Sequence, residues 1–128
     1  MSYHISKTVS MSFDEAIAKV KEELGKEGFG VLTEIDVKGT LKKKLDVDFK
    51  KYTILGACNP TFAYKVLQME DKIGTMLPCN VLVQENAQGQ IEVSAIDPIQ
   101  SMMAIDNPNL MEVAKQVKGK LTRVIENV

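Results

Sequence analysis

The sequence predicts one α+β domain spanning residues 1–128, with a two-layer architecture. A four- to five-stranded, mainly antiparallel sheet is expected to carry two long helices on one face. Three observations indicate this class: short segments in which apolar residues alternate, two longer segments with helical spacing, and two alternating runs in residues 80–96 joined by a Gly-containing loop. Hydrophobic residues make up 45% of the 128, which is enough for one sizeable core.

The first strand and the first helix follow from the N-terminal pattern. Residues 3–9 alternate apolar and polar side chains, as a half-buried strand does. Ser12 stands three residues before Glu15, which is the spacing of a capping box, so a helix begins there. Apolar residues then recur at helical spacing, and Gly25 and Gly28 are expected to end the helix.

The middle of the chain predicts two more strands. Residues 29–37 are typical of a strand, and residues 39–45 predict a short helix. Residues 51–58 form a third strand with almost no polar interruption. A strand of this kind is expected to be covered on both faces.

Three Asx-Pro pairs predict helix starts at residues 60, 98 and 108. Asn59-Pro60, Asp97-Pro98 and Asn107-Pro108 each combine an N-cap residue with proline at the first helical position. Asn59 is therefore interpreted as a helix cap. The third pair begins the strongest amphipathic segment, whose apolar stripe reaches Val128.

The two long helices would leave the other sheet face without a cover. Three covers are considered: the short helices, a second copy of the chain related by a twofold axis, or a ligand cavity lined by the sheet. The residues alone do not choose among them.

Composition excludes several classes of function. The net charge is −1, only one arginine occurs and tryptophan is absent, so nucleic-acid binding is not expected. No apolar run approaches the roughly 20 residues that cross a bilayer, which predicts no membrane span. The N-terminal residues do not have the pattern of a signal peptide, so we expect a cytoplasmic protein with two reduced cysteines.

Two Cys-Asn pairs are the chemically distinctive feature of the sequence. Cys58 is expected where the third strand meets a helix N-terminus, whose partial positive charge stabilises a thiolate. Cys79 precedes Asn80 at the start of the next strand. The alternative is that both cysteines only pack, as buried cysteines often do. A metal site of Cys58, Cys79 and His4 is also considered, although their spacing matches no metal motif.

Met102 and Met103 lie between the second and third Asx-Pro pairs. Methionine side chains fit irregular shapes, so this pair could line an adaptable pocket. They could equally fill the core.

The pieces "GACNP" at 56–60 and "LPCNVLV" at 77–83 resemble the bacterial and archaeal family called domain of unknown function 302. The resemblance extends over nearly the whole chain. It implies antiparallel strands carrying helices, as in the sheet of the TATA-binding protein, and dimers. The motif positions of the family fall here on Cys58, Asn59, Pro60, Cys79 and Asn80. The resemblance implies no activity and no cofactor.

These observations lead to one main expectation, a small homodimeric binding module without catalysis. Its pocket would involve six candidate residues: Cys58, Asn59, Cys79, Asn80, Met102 and Met103. One alternative is a thiol-dependent enzyme or redox protein that uses Cys58, with Cys79 as the resolving thiol. Another is a structural or interaction domain whose sheet edge or open face binds a different protein.

Overall fold

The computed structural model describes residues 2–128, which form one five-stranded sheet with helices between the strands. The strands are β1 (His4–Val9), β2 (Gly30–Asp36), β3 (Tyr52–Cys58), β4 (Cys79–Glu85) and β5 (Ile91–Ile96). The helices are α1 (Phe13–Lys26), α2 (Val37–Leu45), α3 (Pro60–Met69), α4 (Pro98–Ser101) and α5 (Pro108–Asn127), with a 3-10 helix at Asp71–Met76. The predicted α+β class is confirmed.

The strands lie in the order β1-β5-β4-β3-β2, and every neighbouring pair is antiparallel. The hairpin predicted from residues 80–96 is the β4–β5 pair. The first strand of the chain closes one edge by pairing with the last, so that His4 lies opposite Ile96. The sheet therefore joins parts of the chain that are far apart in sequence.

The core lies between the sheet and the two long helices, α1 and α5, which contact each other and the central strands. Alternate residues of the central strands point toward these helices, because successive side chains of a strand face opposite sides. Leu55, Val81, Val83 and Val93 have no exposed surface. They pack against buried residues of the amphipathic helices: Ala16, Val20, Leu24, Leu110, Val117, Leu121, Val124 and Ile125.

The face of the sheet away from α1 and α5, called the outer face below, is largely open. His4 and Ser6 are exposed there, and Ile35 keeps 47% of its surface exposed. Ile54 of β3 also points to this face and is only half-buried. The prediction that both faces of β3 are covered therefore holds for its inward face alone.

The end of α1 differs by a few residues from its prediction. Gly25 lies inside the helix, and the chain turns at Gly28, whose φ of 83° favours glycine. The Phe29 N–H donates to the Leu24 carbonyl at 2.9 Å, and the Gly28 N–H donates to the Gly25 carbonyl at 3.2 Å. This bond pattern is a Schellman motif, which satisfies the last carbonyls of the helix.

Two of the three Asx-Pro pairs begin helices in the predicted way. Asp97 Oδ1 accepts hydrogen bonds from the N–H groups of Ile99 and Gln100, at 2.9 and 3.4 Å. Asn107 caps α5 in the same manner. No helix among residues 2–128 is both long and apolar enough to cross a membrane.

Candidate ligand-binding cavity

A cavity of about 270 Å³ opens on the helix side of the molecule, between α3, α5 and the adjoining ends of β3 and β4. Its mouth includes the exposed side chains of Leu32 and Leu67. The lining is almost entirely apolar: Phe29, Leu32, Ala57, Cys58, Asn59, Phe62, Ala63, Val66, Leu67, Leu77, Pro78, Cys79, Pro98, Met102, Val113, Ala114 and Val117.

Four of the six candidate residues line this cavity. Cys58 ends β3, and Cys79 begins β4 directly opposite Ala57, which brings the two cysteines to the same end of the sheet. Asn59 precedes α3. Met102 follows α4 and is 5% exposed. The role of these four residues in binding stays a prediction.

The other candidates lie elsewhere. Asn80 pairs with Gly56 and is exposed on the outer face, because it follows Cys79 in the strand alternation. Met103 keeps 57% of its surface exposed, and it does not contribute to the cavity wall. The two adjacent methionines therefore have different environments.

His4 is separated from Cys79 by one intervening strand, β5, and from Cys58 by two. It belongs to edge strand β1, whereas Cys58 and Cys79 belong to β3 and β4. Its Nδ1 lies 2.6 Å from Ser6 Oγ on the outer face. The combination of His4 with the two cysteines is therefore not formed. Among residues 2–128, no three His, Cys, Asp or Glu side chains gather as metal ligands.

Asn59 does not cap α3, and this interpretation of the sequence was wrong. Its side chain accepts no hydrogen bond from the first turn of the helix. Instead, Asn59 Nδ2 donates to the carbonyl of Glu27 at 3.3 Å, across the chain at the end of α1. The same nitrogen would lie only 3.2 Å from a Cβ at Gly28. This hydrogen bond links the start of α3 to the turn after α1.

The two thiols interact with each other. Burial of Cys79 and the nearby Cys58 together raise the pKa of the Cys79 thiol from 9.0 to about 11, burial being the larger cause. Both effects disfavour the thiolate, because charge is costly away from water and beside another negative group. Cys79 is therefore a neutral thiol at pH 7, and both cysteines are free.

The residues that line the cavity include no acidic, basic or histidine side chain. A nucleophilic cysteine needs a base or a stabilising positive charge in reach. Among the described elements, the N-terminus of α3 follows Cys58 and supplies a partial positive charge there. The polar groups of the site are the Asn59 side chain and the two thiols, which suit binding better than proton transfer.

Sequence reasoning missed most of the apolar wall. Val113, Ala114 and Val117 belong to the apolar stripe of α5, and no pattern in the sequence distinguishes these residues, Phe29 or Phe62 as part of a site. The one usable signal in the sequence was that α3 is mainly apolar, and Phe62, Val66 and Leu67 of this helix line the cavity.

Residues 5–128 match the family model described as "Domain of unknown function DUF302". The chain belongs to this family. The resemblance seen at the two Cys-Asn pieces is therefore confirmed over nearly the whole DUF302 chain.

A solved relative has the same fold. It is the crystal structure of an uncharacterized conserved DUF302 protein from Bacillus stearothermophilus, with 30% sequence identity and a TM-score of 0.93. The match covers 99% of this chain and 98% of that one. No curated protein matches the sequence. The likeness to the TATA-binding protein stays a prediction.

Proposed function

We propose that this DUF302 protein is a non-catalytic binding module for a small, mainly apolar molecule. One observation carries the proposal: a cavity of about 270 Å³ with an apolar wall and a few polar groups at one end. Small-molecule sites typically combine apolar lining with a small number of placed polar groups. Here those groups are the Asn59 side chain and the thiols of Cys58 and Cys79.

The volume of the cavity sets the size of the ligand. An apolar protein cavity of about 150 Å³ can hold benzene, and drug-sized ligands occupy about 300–1,000 Å³. The cavity here lies between these values. We therefore expect a ligand about the size of a substituted aromatic ring or a short branched chain. A charged head group would have to remain at the open mouth, near Leu32 and Leu67.

We also propose that the module is a homodimer through the surface formed by α2 and the residues after it. No residue of α2 is buried, and Leu45, Val47 and Phe49 keep 66%, 43% and 38% of their surfaces exposed. A helix with no buried residue gains little from packing within its own chain. A second copy that covers these apolar side chains would stabilise it.

Sedimentation at tens of micromolar protein tests the dimer. Leu45→Asp should give monomers, while Tyr64→Asp, at an equally exposed position on α3, should leave the dimer intact. A monomeric wild-type protein would overturn the dimer proposal without affecting the cavity proposal.

We further propose that the protein works in a reducing compartment such as the cytoplasm, because both of its cysteines are free thiols.

Ligand binding is tested with small probes, using indole, toluene and benzyl alcohol. Protein with ¹³C-labelled methionine methyl groups provides an internal comparison, because Met102 lines the cavity and Met103 does not. A bound probe should shift the Met102 methyl resonance in a saturable manner and leave Met103 unchanged. At 100 times its Kd it should also raise the free energy of unfolding by about 2.7 kcal/mol.

Ala63→Leu and Gln68→Leu form a matched pair for the same test. Both residues belong to α3, but only Ala63 lines the cavity. The leucine at 63 should fill part of the space and abolish probe binding, whereas the leucine at 68 should not. Probes that shift neither methyl, or that still bind Ala63→Leu with unchanged affinity, would show that the cavity is not the binding site.

A further inference from the structure

Three sulfur-containing residues from separate elements line the same cavity. Cys58 comes from the end of β3, Cys79 from the start of β4, and Met102 from the turn after α4. Both cysteines are free thiols, and Met102 is 5% exposed. The chain brings these three residues together although 44 positions separate the first from the last.

The two cysteines are close neighbours across the sheet. Ala57 lies directly opposite Cys79 in the antiparallel β3–β4 pair, and Cys58 is the next residue along β3. Residues opposite each other in such a pair have Cα atoms about 4.5–5.5 Å apart. Both side chains contribute to the cavity wall.

The sulfurs of Cys58, Cys79 and Met102 are soft metal ligands, and no hard, charged ligand lines the cavity beside them. No carboxylate or imidazole lines the cavity, so oxygen-seeking ions such as Mg²⁺ and Ca²⁺ find no charged ligand there. Zinc usually takes four protein ligands in a structural site, and only three sulfurs are present. Thiolate and thioether sulfur together favour Cu(I). We propose that Cys58, Cys79 and Met102 bind one Cu(I) ion in this cavity.

Charge and protons balance when Cu(I) binds to this site. Cu⁺ enters and leaves as a monovalent ion, so no electron is transferred. It replaces the protons of both thiols, which pass to solvent, and the group of one Cu⁺ and two thiolates carries one negative charge. The N-terminus of α3, directly after Cys58, offsets part of this charge. Because binding releases these protons, the affinity for Cu(I) should rise with pH.

This metal site goes beyond the proposed function and does not depend on it. Small-molecule binding uses the apolar wall formed by α3 and α5, whereas Cu(I) binding uses the sulfur atoms alone. Ala63→Leu, which should fill the organic part of the cavity, leaves all three sulfurs in place. Failure of one proposal can therefore be distinguished from failure of the other.

The test is an anaerobic titration of the reduced full-length protein with Cu(I), in competition with bathocuproine disulfonate. Wild type should bind one Cu(I) per chain, release about two protons, and show sulfur-to-copper charge-transfer absorption. Cys58→Ser and Cys79→Ser should each lower the affinity by about 100-fold or more, and Met102→Leu by about tenfold. Met103→Leu, at the adjacent exposed position, should bind as wild type does.

Circular dichroism and thermal melting establish that each variant is folded before its affinity is compared. The proposal is overturned if either cysteine variant keeps the wild-type affinity, or if one copper is bound per two chains. Unchanged affinity in Met102→Leu would equally remove the three-sulfur site. Because leucine preserves the size and apolar character of Met102, that variant remains informative even if the serine variants unfold.

Discussion

The starts of α3 and α5 carry the same dipeptide, Asn-Pro, yet their asparagines act differently. Asn107 Oδ1 accepts hydrogen bonds from the N–H groups of Asn109 and Leu110, at 3.1 and 3.3 Å, within its own helix. Asn59 donates its Nδ2 hydrogen to Glu27, 32 positions earlier. One asparagine is used as an acceptor for a local cap, and the other as a donor for a tertiary contact.

The difference follows the surroundings of the two helix starts. The first turn of α5 leads into the packed core, where Leu110 has no exposed surface. The first turn of α3 borders the cavity, and Pro60 and Asn59 leave its N–H groups without a side-chain cap. The helix start without a side-chain cap is thus the one at the candidate site, where function and stability can compete.

Removing the cap at the second Asx-Pro pair, Asp97-Pro98, should have the largest effect. Asp97 is 5% exposed, caps α4 and also pairs with Lys118 Nζ at 2.9 Å. Asp97→Ala loses the cap and removes the acceptor of the half-buried Ile99 and Gln100 N–H groups, so we expect about 3 kcal/mol lower stability in urea unfolding. Asp97→Asn keeps an acceptor and loses only the ion pair, which should cost less than about 1 kcal/mol because Lys118 is 40% exposed. Equal losses in the two variants would contradict this assignment.

At the cavity, the Cys79 thiol should make the free energy of unfolding fall at alkaline pH. The pKa of Cys79 is higher in the folded protein, so the folded state holds its proton while the unfolded chain releases it. Stability from this group is therefore complete below pH 9 and is lost as the pH rises to about 11. The loss is at most about 2.7 kcal/mol. The difference in unfolding free energy between wild type and Cys79→Ala, measured from pH 8 to 11, isolates this loss from lysine and tyrosine titration. A difference that does not change with pH would show that the Cys79 thiol is not buried as described.

The smallest effects, but of opposite sign, should come from one substitution at both asparagines. Asn107→Asp keeps the accepting oxygen and adds negative charge at a helix N-terminus, which should stabilise by about 0.3–1 kcal/mol. Asn59→Asp loses the donor and places a carboxylate beside the Glu27 carbonyl, which should destabilise by about 1–1.5 kcal/mol. Urea unfolding at pH 7 measures both. The same sign at the two positions would mean that Asn59 acts as a cap after all.

Local signals in the sequence were sufficient for most of the fold. The capping box at Ser12 and Glu15 is present with both of its bonds, and the Asx-Pro pairs begin helices at the expected residues. Each of these features depends on residues only a few positions apart. The 3-10 helix at Asp71–Met76 escaped prediction because such short turns have no clear periodic pattern.

The site was less predictable, since it depends on contacts between distant residues. That Cys58 and Cys79 lie near each other followed from their places at adjoining strand ends. The partner of Asn59 did not, because Glu27 O is a backbone group that has no sequence signature. Asn80 and Met103 were placed at the site by adjacency in sequence, whereas strand alternation and the turn after α4 direct them outward.

The pairing of β1 with β5 has a consequence for protein synthesis. The hydroxyl groups of Ser6 and Ser94 lie 2.7 Å apart but are separated by 88 positions, and α5, which completes the core, follows later still. On the ribosome, β1 must therefore remain unpaired until nearly all of the chain has emerged. We expect nascent chains stalled before α5 to be digested by protease, and released chains to resist it. The domain would then fold cooperatively and only late in synthesis.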